Sequence, residues 1–159
     1  MKIIDQACLA ALAEKSAALP RRRTNLNLHP ELSDPIQRLL NAGHPDSYVR
    51  PHRHDEGRWE LFTILTGALA LLTFSDSGEV LTRHELRPGQ TQAIEIDGGV
   101  WHSILFLDAG TSILEFKPGP YAPASDKDFA RWAPPENSPD APRMLAWMHQ
   151  AQPGQAVPL

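Results

Sequence analysis

The chain has 159 residues, 42% of them hydrophobic and 21% charged, which suits one domain with a real core and leaves little room for two. A formal charge of -4 and a pI near 5.9 give no basic excess to meet a phosphate backbone, so nucleic acid is not an expected partner. No stretch approaches the roughly 18 consecutive apolar residues that cross a bilayer; the best of them, 61–74, is broken by threonines and Gly67, so no membrane partner is expected.

In chain order, Asp5 can cap the free amides of a helix that runs through good helix formers to Leu19, where Pro20 stops it. Cys8 is the lone cysteine and cannot form an internal disulfide. Its helical spacing with Leu9, Leu12, Ser16 and Leu19 reads as a small buried apolar thiol rather than a nucleophile. The opening lacks the charged-then-apolar pattern of a signal peptide, and a cytoplasmic protein is the expectation. Arg21, Arg22 and Arg23 read as a solvated approach to the first strand, so residues 1–22 form an N-terminal helix and lead-in.

From 23 to 121 the texture changes to short runs of β-branched and apolar residues punctuated by Gly, Pro and Asp. Strands are expected at 24–29, 35–42, 47–54, 59–65, 68–75, 80–86, 90–96, 101–107 and 112–117. Turns stand at Ser75-Asp76-Ser77-Gly78, Arg87-Pro88-Gly89 and Asp97-Gly98-Gly99, where glycine supplies positive φ without steric cost. Connections this short pair neighbouring strands antiparallel, in a mainly β barrel or sandwich. Nine of the fifteen prolines lie from Pro118 onward, so 122–159 reads as a Pro-rich extension with little sheet. Its large apolar side chains, Phe129, Trp132, Met144, Trp147 and Met148, call for burial. Two short helical turns, near 126–132 and 141–150, are expected to pack on the barrel or a partner subunit.

The chemistry concentrates in Arg50-Pro51-His52-Arg53-His54, followed by Trp59-Glu60 and Gly67. Residues two apart on a strand share a face about 7 Å apart at the backbone, so His52 and His54 can aim at one point. A divalent ion takes imidazole nitrogen at about 2.0 to 2.1 Å and carboxylate oxygen at a similar distance, which Glu60 can supply from the next strand. Glu56 is a rival carboxylate. His102, after the Gly98-Gly99 turn, becomes a fourth ligand if a closed barrel returns its strand beside the first.

The order His-x-His, Glu, Gly, then Pro-Gly, Gly, His resembles the two signature motifs of the cupin superfamily, over roughly 48–103. That resemblance implies a single-domain cupin fold, a double-stranded β-helix or jelly-roll barrel, at 23–121. More narrowly, Tyr48 to His54, Trp59-Glu60, Gly99-Val100-Trp101-His102-Ser103, Glu115 to Tyr121 and Phe129-Ala130-Arg131-Trp132-Ala133-Pro134 resemble the WbuC family of cupin metalloproteins. The resemblance implies a setting near bacterial surface polysaccharide, including O-antigen and lipopolysaccharide biosynthesis, without implying a reaction.

Three histidines and one carboxylate without thiolate suit one divalent ion per chain: Fe, Mn, Ni or Zn. With four protein ligands, a six-coordinate ion keeps two positions for substrate oxygens, which favours isomerisation, epimerisation, dioxygenation or hydrolysis. Arg50 and Arg58 flank the ligands and are candidates to hold a carboxylate or phosphate. Tyr48 shares the parity of His52 and reads as an acid or a barrel-lining aromatic. Glu115 and Lys117 share a face of the last strand and read either as an acid and base pair in the pocket or as an exposed pair. Arg53, Trp59 and Trp101 should point away from the metal. His29, His44, His84 and His149 read as surface histidines.

The expected function is a metal-dependent enzyme acting on a small oxygenated molecule such as a sugar or nucleotide sugar, with Glu115, Arg50 and Tyr48 as catalytic candidates. The alternatives are a non-catalytic sugar-binding cupin and an Fe(II) dioxygenase on a non-sugar substrate. Tail aromatics and an edge strand point to a homodimer.

Overall fold

The computed structural model describes residues 1–121 and 127–158. Helix α1 spans Gln6–Ala17; the Asp5 carboxylate accepts from the Cys8 N–H at 2.9 Å and so satisfies one of the free amides of the first turn. The strands are β1 Arg23–Asn27, β2 Ile36–Gly43, β3 His52–Arg53, β4 Glu60–Thr66, β5 Leu69–Phe74, β6 Val80–Leu86, β7 Ala93–Ile96, β8 Trp101–Phe106, β9 Thr111–Pro118 and β10 Asp128–Phe129, and helix α2 spans Ala141–Gln150.

All strand pairs are antiparallel, in two five-stranded sheets ordered β1-β2-β9-β4-β7 and β10-β3-β8-β5-β6. This is a mainly β jelly roll, and the alternation of side chains along each strand decides what lies between its layers. The inward residues Phe62, Ile64, Leu69, Leu71, Phe106 and Ile113 form an apolar core at one end of the barrel. The outer face of the first sheet presents Leu40 and Ala42 to Leu9 and Leu12 of α1. The outer face of the second presents Ala70, Leu72, Phe74, Val80 and Leu105 to Ala141, Met144, Leu145 and Met148 of α2. Burying each large side chain contributes roughly 1.5 to 3 kcal/mol, enough to hold a Pro-rich tail against the barrel.

Polar contacts fix the path of that tail. Arg50 donates from Nε to the Ala133 carbonyl at 3.0 Å and from Nη2 to the Ala130 carbonyl at 2.8 Å, and the Tyr48 hydroxyl donates to the Pro134 carbonyl at 3.0 Å. Arg21 and Arg23 both pair with Glu136. The expectation of a solvated basic run is therefore corrected at Arg23, whose side chain is only 15% exposed and is held between Glu136, Ser47 and the Tyr48 carbonyl.

All nine expected strands are present in the barrel, and α2 stands where the second helical turn is expected. The strand expected at 47–54 is reduced to His52–Arg53 because Pro51 has no N–H and side chains take the preceding carbonyls: Ser103 Oγ donates to Val49 and Arg23 Nη1 to Tyr48. The helical turn expected at 126–132 is not found among its described residues. Phe129 instead pairs with His52 as an edge strand, and the Ala130 N–H donates to the Pro51 carbonyl; Asp126 lies outside the described residues. Phe129 is 42% exposed, so the burial expected of it does not occur, and its energetic role is backbone pairing.

Candidate metal centre

Strand register, not sequence proximity, assembles the site. His52 on β3 stands directly opposite His102 on β8, in the second sheet. Glu60 opens β4 in the facing sheet, and His54 follows β3 in the loop that leads there. The β7–β8 turn locks this loop: the Gly99 N–H donates to the His54 carbonyl at 2.8 Å, with Gly99 at φ +81°. A Cβ on Gly98 would stand 2.4 Å from the Asp55 carbonyl oxygen and 2.8 Å from the Gly57 nitrogen, so only glycine permits this backbone approach.

One donor atom from each of His52, His54, Glu60 and His102 lies within 4.8 Å of the others, and all four residues are buried. Glu60 Oε1 is 3.0 Å from His54 Nε2, and Oε2 is 2.9 Å from His102 Nε2. The imidazole centroids of His52 and His102 are 4.5 Å apart. Glu56 is exposed and Glu60 is 3% exposed, which decides between the two carboxylates.

The donor chemistry fits a metal ion. Nδ1 of His52 lies 2.9 Å from the Arg50 carbonyl and Nδ1 of His102 lies 2.9 Å from the Val100 carbonyl. Each Nδ1 must therefore donate, which leaves Nε2 as the lone-pair atom of a neutral ring, the backing that metal-bound histidines commonly have. For His102 that lone pair would face a carboxylate oxygen at 2.9 Å, an arrangement that needs a proton or a cation between the two atoms. Two donors at right angles around one ion, each at about 2.1 Å, stand about 3.0 Å apart, the spacing that Glu60 keeps with both imidazoles.

Burial opposes the charge on Glu60, but with a proton between His102 and Glu60 the hydrogen bonds from His102 and His54 and the charges of His102 and Lys117 outweigh it and hold the carboxyl well below its ordinary range. Burial, with the charges of Lys127 and His102, pushes His52 well below the ordinary imidazole range and keeps it in the neutral, metal-binding form. The residues His52, His54, Glu60 and His102 would hold the ion, and a bound ion would supply Lewis acidity.

His52 reaches the wall of a cavity of about 830 Å³, lined also by Arg50, Asn41, Glu115 and Lys117. Glu115 and Lys117 are not an exposed pair. Lys117 is 7% exposed, and its ammonium stands 3.5 Å from Glu60 Oε1 and 3.5 Å from Glu115 Oε1. Asn41 Nδ2 donates to Glu115 Oε2 at 2.8 Å. Burial and then the Glu60 charge push the Glu115 carboxyl up, against the pull of Lys117 and Lys127.

Other candidates are placed differently. Tyr48 is packed in the tail-facing cluster with its hydroxyl committed to Pro134, so the structure does not bring it to the metal ligands; burial raises its phenol above the ordinary range. Arg50 lines the cavity while two of its N–H groups hold the tail. Arg53 and Trp101 point outward as expected, with the guanidinium 4.3 Å from the indole and paired with Asp128 at 2.9 Å. His29 and His44, at 4% and 8% exposure, are not surface residues; they bond to backbone of Arg38 and Ala13. Asn41 escapes a sequence reading: its only signal is one polar residue among Leu39, Leu40 and Ala42.

The two sheets and the cluster between them define a cupin-fold protein with a metal-type site. Solved structures bear out the fold. A cupin superfamily protein from Desulfitobacterium hafniense DCB-2 is 17% identical, with 67% of this chain and 86% of that chain covered and a TM-score of 0.51. The capsular polysaccharide assembling protein CapF from Staphylococcus aureus is 16% identical over 70% of this chain and 32% of that one, with a TM-score of 0.55. An oxalate oxidase in complex with the substrate analogue glycolate is 16% identical over 71% and 57%, with a TM-score of 0.52. Such identities show shared fold alone. Residues 4–86 match the family described as "Domain of unknown function (DUF6016)", and the chain belongs to that family. The match includes His52, His54 and Glu60 and stops before His102. No curated protein matches the sequence. The narrower WbuC resemblance rests on the sequence motifs.

Exchanging the two rival carboxylates separates them. Glu60→Gln should abolish the rise in melting temperature that added Mn(II), Ni(II) or Zn(II) produces, while Glu56→Gln keeps it. A metal-induced rise that survives in Glu60→Gln would remove Glu60 from the ligand set.

Proposed function

We propose that this cupin is a metal-dependent enzyme acting on a small oxygenated substrate, a sugar or nucleotide sugar of surface-polysaccharide assembly, with isomerase or epimerase chemistry ahead of dioxygenase chemistry. The observation that carries the reading is the buried His52, His54, Glu60 and His102 cluster reached from a cavity of about 830 Å³, a size suited to a sugar. One divalent ion per chain, Fe, Mn, Ni or Zn, would polarise a carbonyl or enediol oxygen there.

The chain's own groups then divide the work. Glu115, buried on the cavity wall and raised above the ordinary carboxyl range, is placed to take and return a proton. Arg50 lines the cavity and holds the tail that walls the site. Tyr48 has no part in this proposal, because its hydroxyl is bound elsewhere. The polysaccharide setting draws support from the WbuC-like motifs and from the fold shared with CapF, named as a capsular polysaccharide assembling protein. An Fe(II) dioxygenase on a non-sugar substrate is the second reading, and a protein named as an oxalate oxidase shares the fold. A sugar-binding module without turnover is the remaining alternative.

Among the described residues no helix is long and apolar enough to cross a membrane. The homodimer belongs to the same proposal. It is supported by edge strand β1, which leaves Leu26 44% exposed. Light scattering at micromolar concentration should report about twice the 17.6 kDa of one chain, and the mass of a single chain would contradict it.

Proton NMR of the metal-loaded protein with a panel of aldoses, ketoses and nucleotide sugars in D2O should show deuterium entering beside the carbonyl. Chelation should abolish this, and Glu115→Gln should slow it by about 10²- to 10⁴-fold. Oxygen uptake without exchange would favour the dioxygenase, and sugar binding with neither would reduce the protein to a binding module.

A further inference from the structure

Phe129 is an inward-facing aromatic residue that the core does not use. It stands directly opposite His52 in the β10–β3 pair, and residues opposite one another in an antiparallel pair project to the same face. His52 points between the sheets to the ligand cluster, so Phe129 points the same way, while Asp128, one residue earlier, pairs with the outward-facing Arg53. The ring centroids of Phe129 and His52 are 6.1 Å apart. Phe129 is nevertheless 42% exposed, and it lines the cavity of about 830 Å³. Inward direction combined with exposure puts its open surface on the cavity, beside the metal ligands.

The sheet does not require an aromatic ring there. Position 129 serves β3 through its backbone, and leaving a phenyl group in contact with water is unfavourable until something covers it. The ring is also held ready: the Arg50 guanidinium carbon lies over it, 5.1 Å from the centroid, and Arg50 is itself fixed by the carbonyls of Ala130 and Ala133. The wall supplied by the other sheet is of the opposite character. Asn25 and Asn27 alternate on β1 and Asn41 follows on β2, all three lining the cavity. A bond of 2.6 Å from Asn25 Nδ2 to Asn27 Oδ1 aligns two of these amides, and each amide has more donor and acceptor positions than that one bond uses.

We propose that Phe129 is a stacking platform that receives the C–H face of a pyranose ring beside the metal ligands, while the asparagine amides of the other sheet take its hydroxyl groups. This rests on the metal-site reading above and names the ring form of the substrate. A pyranose matches an aromatic wall facing an amide wall because its faces carry C–H bonds and its rim carries hydroxyls. An acyclic polyol has the hydroxyls without the rigid apolar face. A nucleobase has a face to stack but lacks the neighbouring hydroxyls that could reach both the amides and a metal ion.

Proton NMR titration reads the stacking directly, because protons held over an aromatic ring shift upfield. The probes are methyl β-D-glucopyranoside, methyl β-D-galactopyranoside and methyl N-acetyl-β-D-glucosaminide, with sorbitol as the acyclic polyol and uridine as the nucleoside. Methyl glycosides have no carbonyl and bind without turning over. Each probe is added to Zn(II)-loaded and to chelator-treated protein, with zinc measured on every sample. At least one pyranoside should bind wild type about tenfold or more tightly than sorbitol, with its ring C–H protons moved upfield. Phe129→Leu should remove the upfield shift and weaken that pyranoside by about threefold to tenfold, and Phe129→Trp should retain both shift and affinity. The proposal is overturned if no pyranoside shifts upfield, if the shift persists in Phe129→Leu, or if uridine alone shifts. Zinc uptake without any such shift overturns this proposal and leaves the metal reading standing. A shift that depends on Phe129 in protein that takes up no zinc contradicts the metal reading alone.

Discussion

A carboxylate withdrawn from water costs several kcal/mol unless opposite charge and hydrogen bonds surround it. Glu60 is 3% exposed and meets that condition with His54 on one oxygen, His102 on the other and Lys117 behind. Much of the barrel's geometry serves this meeting. The His52 and His102 pairing in β3 and β8, the Gly98 approach to the 55–58 loop and the placement of β4 in the facing sheet each bring one of these partners to the carboxylate. Removing His54 or His102 would leave this buried charge short of a partner.

The barrel interior is divided by the same logic. One end is filled by Phe62, Ile64, Leu71, Phe106 and Ile113, and the other holds the ligands, Glu115, Lys117 and Asn41 beside the cavity. Along β9 the change occurs over two residues, from Ile113 in the apolar core to Glu115 on the cavity wall. The tail closes the outer face of the second sheet through α2 and, by way of β10, pairs with His52 itself. The extension therefore braces the strand that carries His52, which is only two residues long.

Short runs of β-branched and apolar residues between Gly, Pro and Asp made the strands readable, and the spacing of His52 and His54, Glu60 ahead of Gly67 and the glycine turn before His102 made the four-residue cluster readable. What periodicity cannot convey is where carbonyls and long side chains end up. Tyr48 has the parity of a pocket residue, yet the tail carbonyl of Pro134 captures its hydroxyl. The helical expectation near Phe129 failed because an open sheet edge beside His52 offers pairing that a short segment cannot match alone. His29 and His44 look like loop histidines, but folding buries them against backbone partners. Asn41 becomes informative only once Glu115 is known to lie across the ladder from Leu39, beside it.

Elemental analysis of protein purified without an affinity tag or chelator, with the His52→Ala and His102→Ala variants alongside, tests the central claim most directly. The account predicts close to one transition-metal ion per chain in the wild type and its loss in both variants, which remain folded enough to purify. A folded wild type that carries no metal and binds none on titration would contradict it, and the cluster would then stand as a buried proton-sharing network.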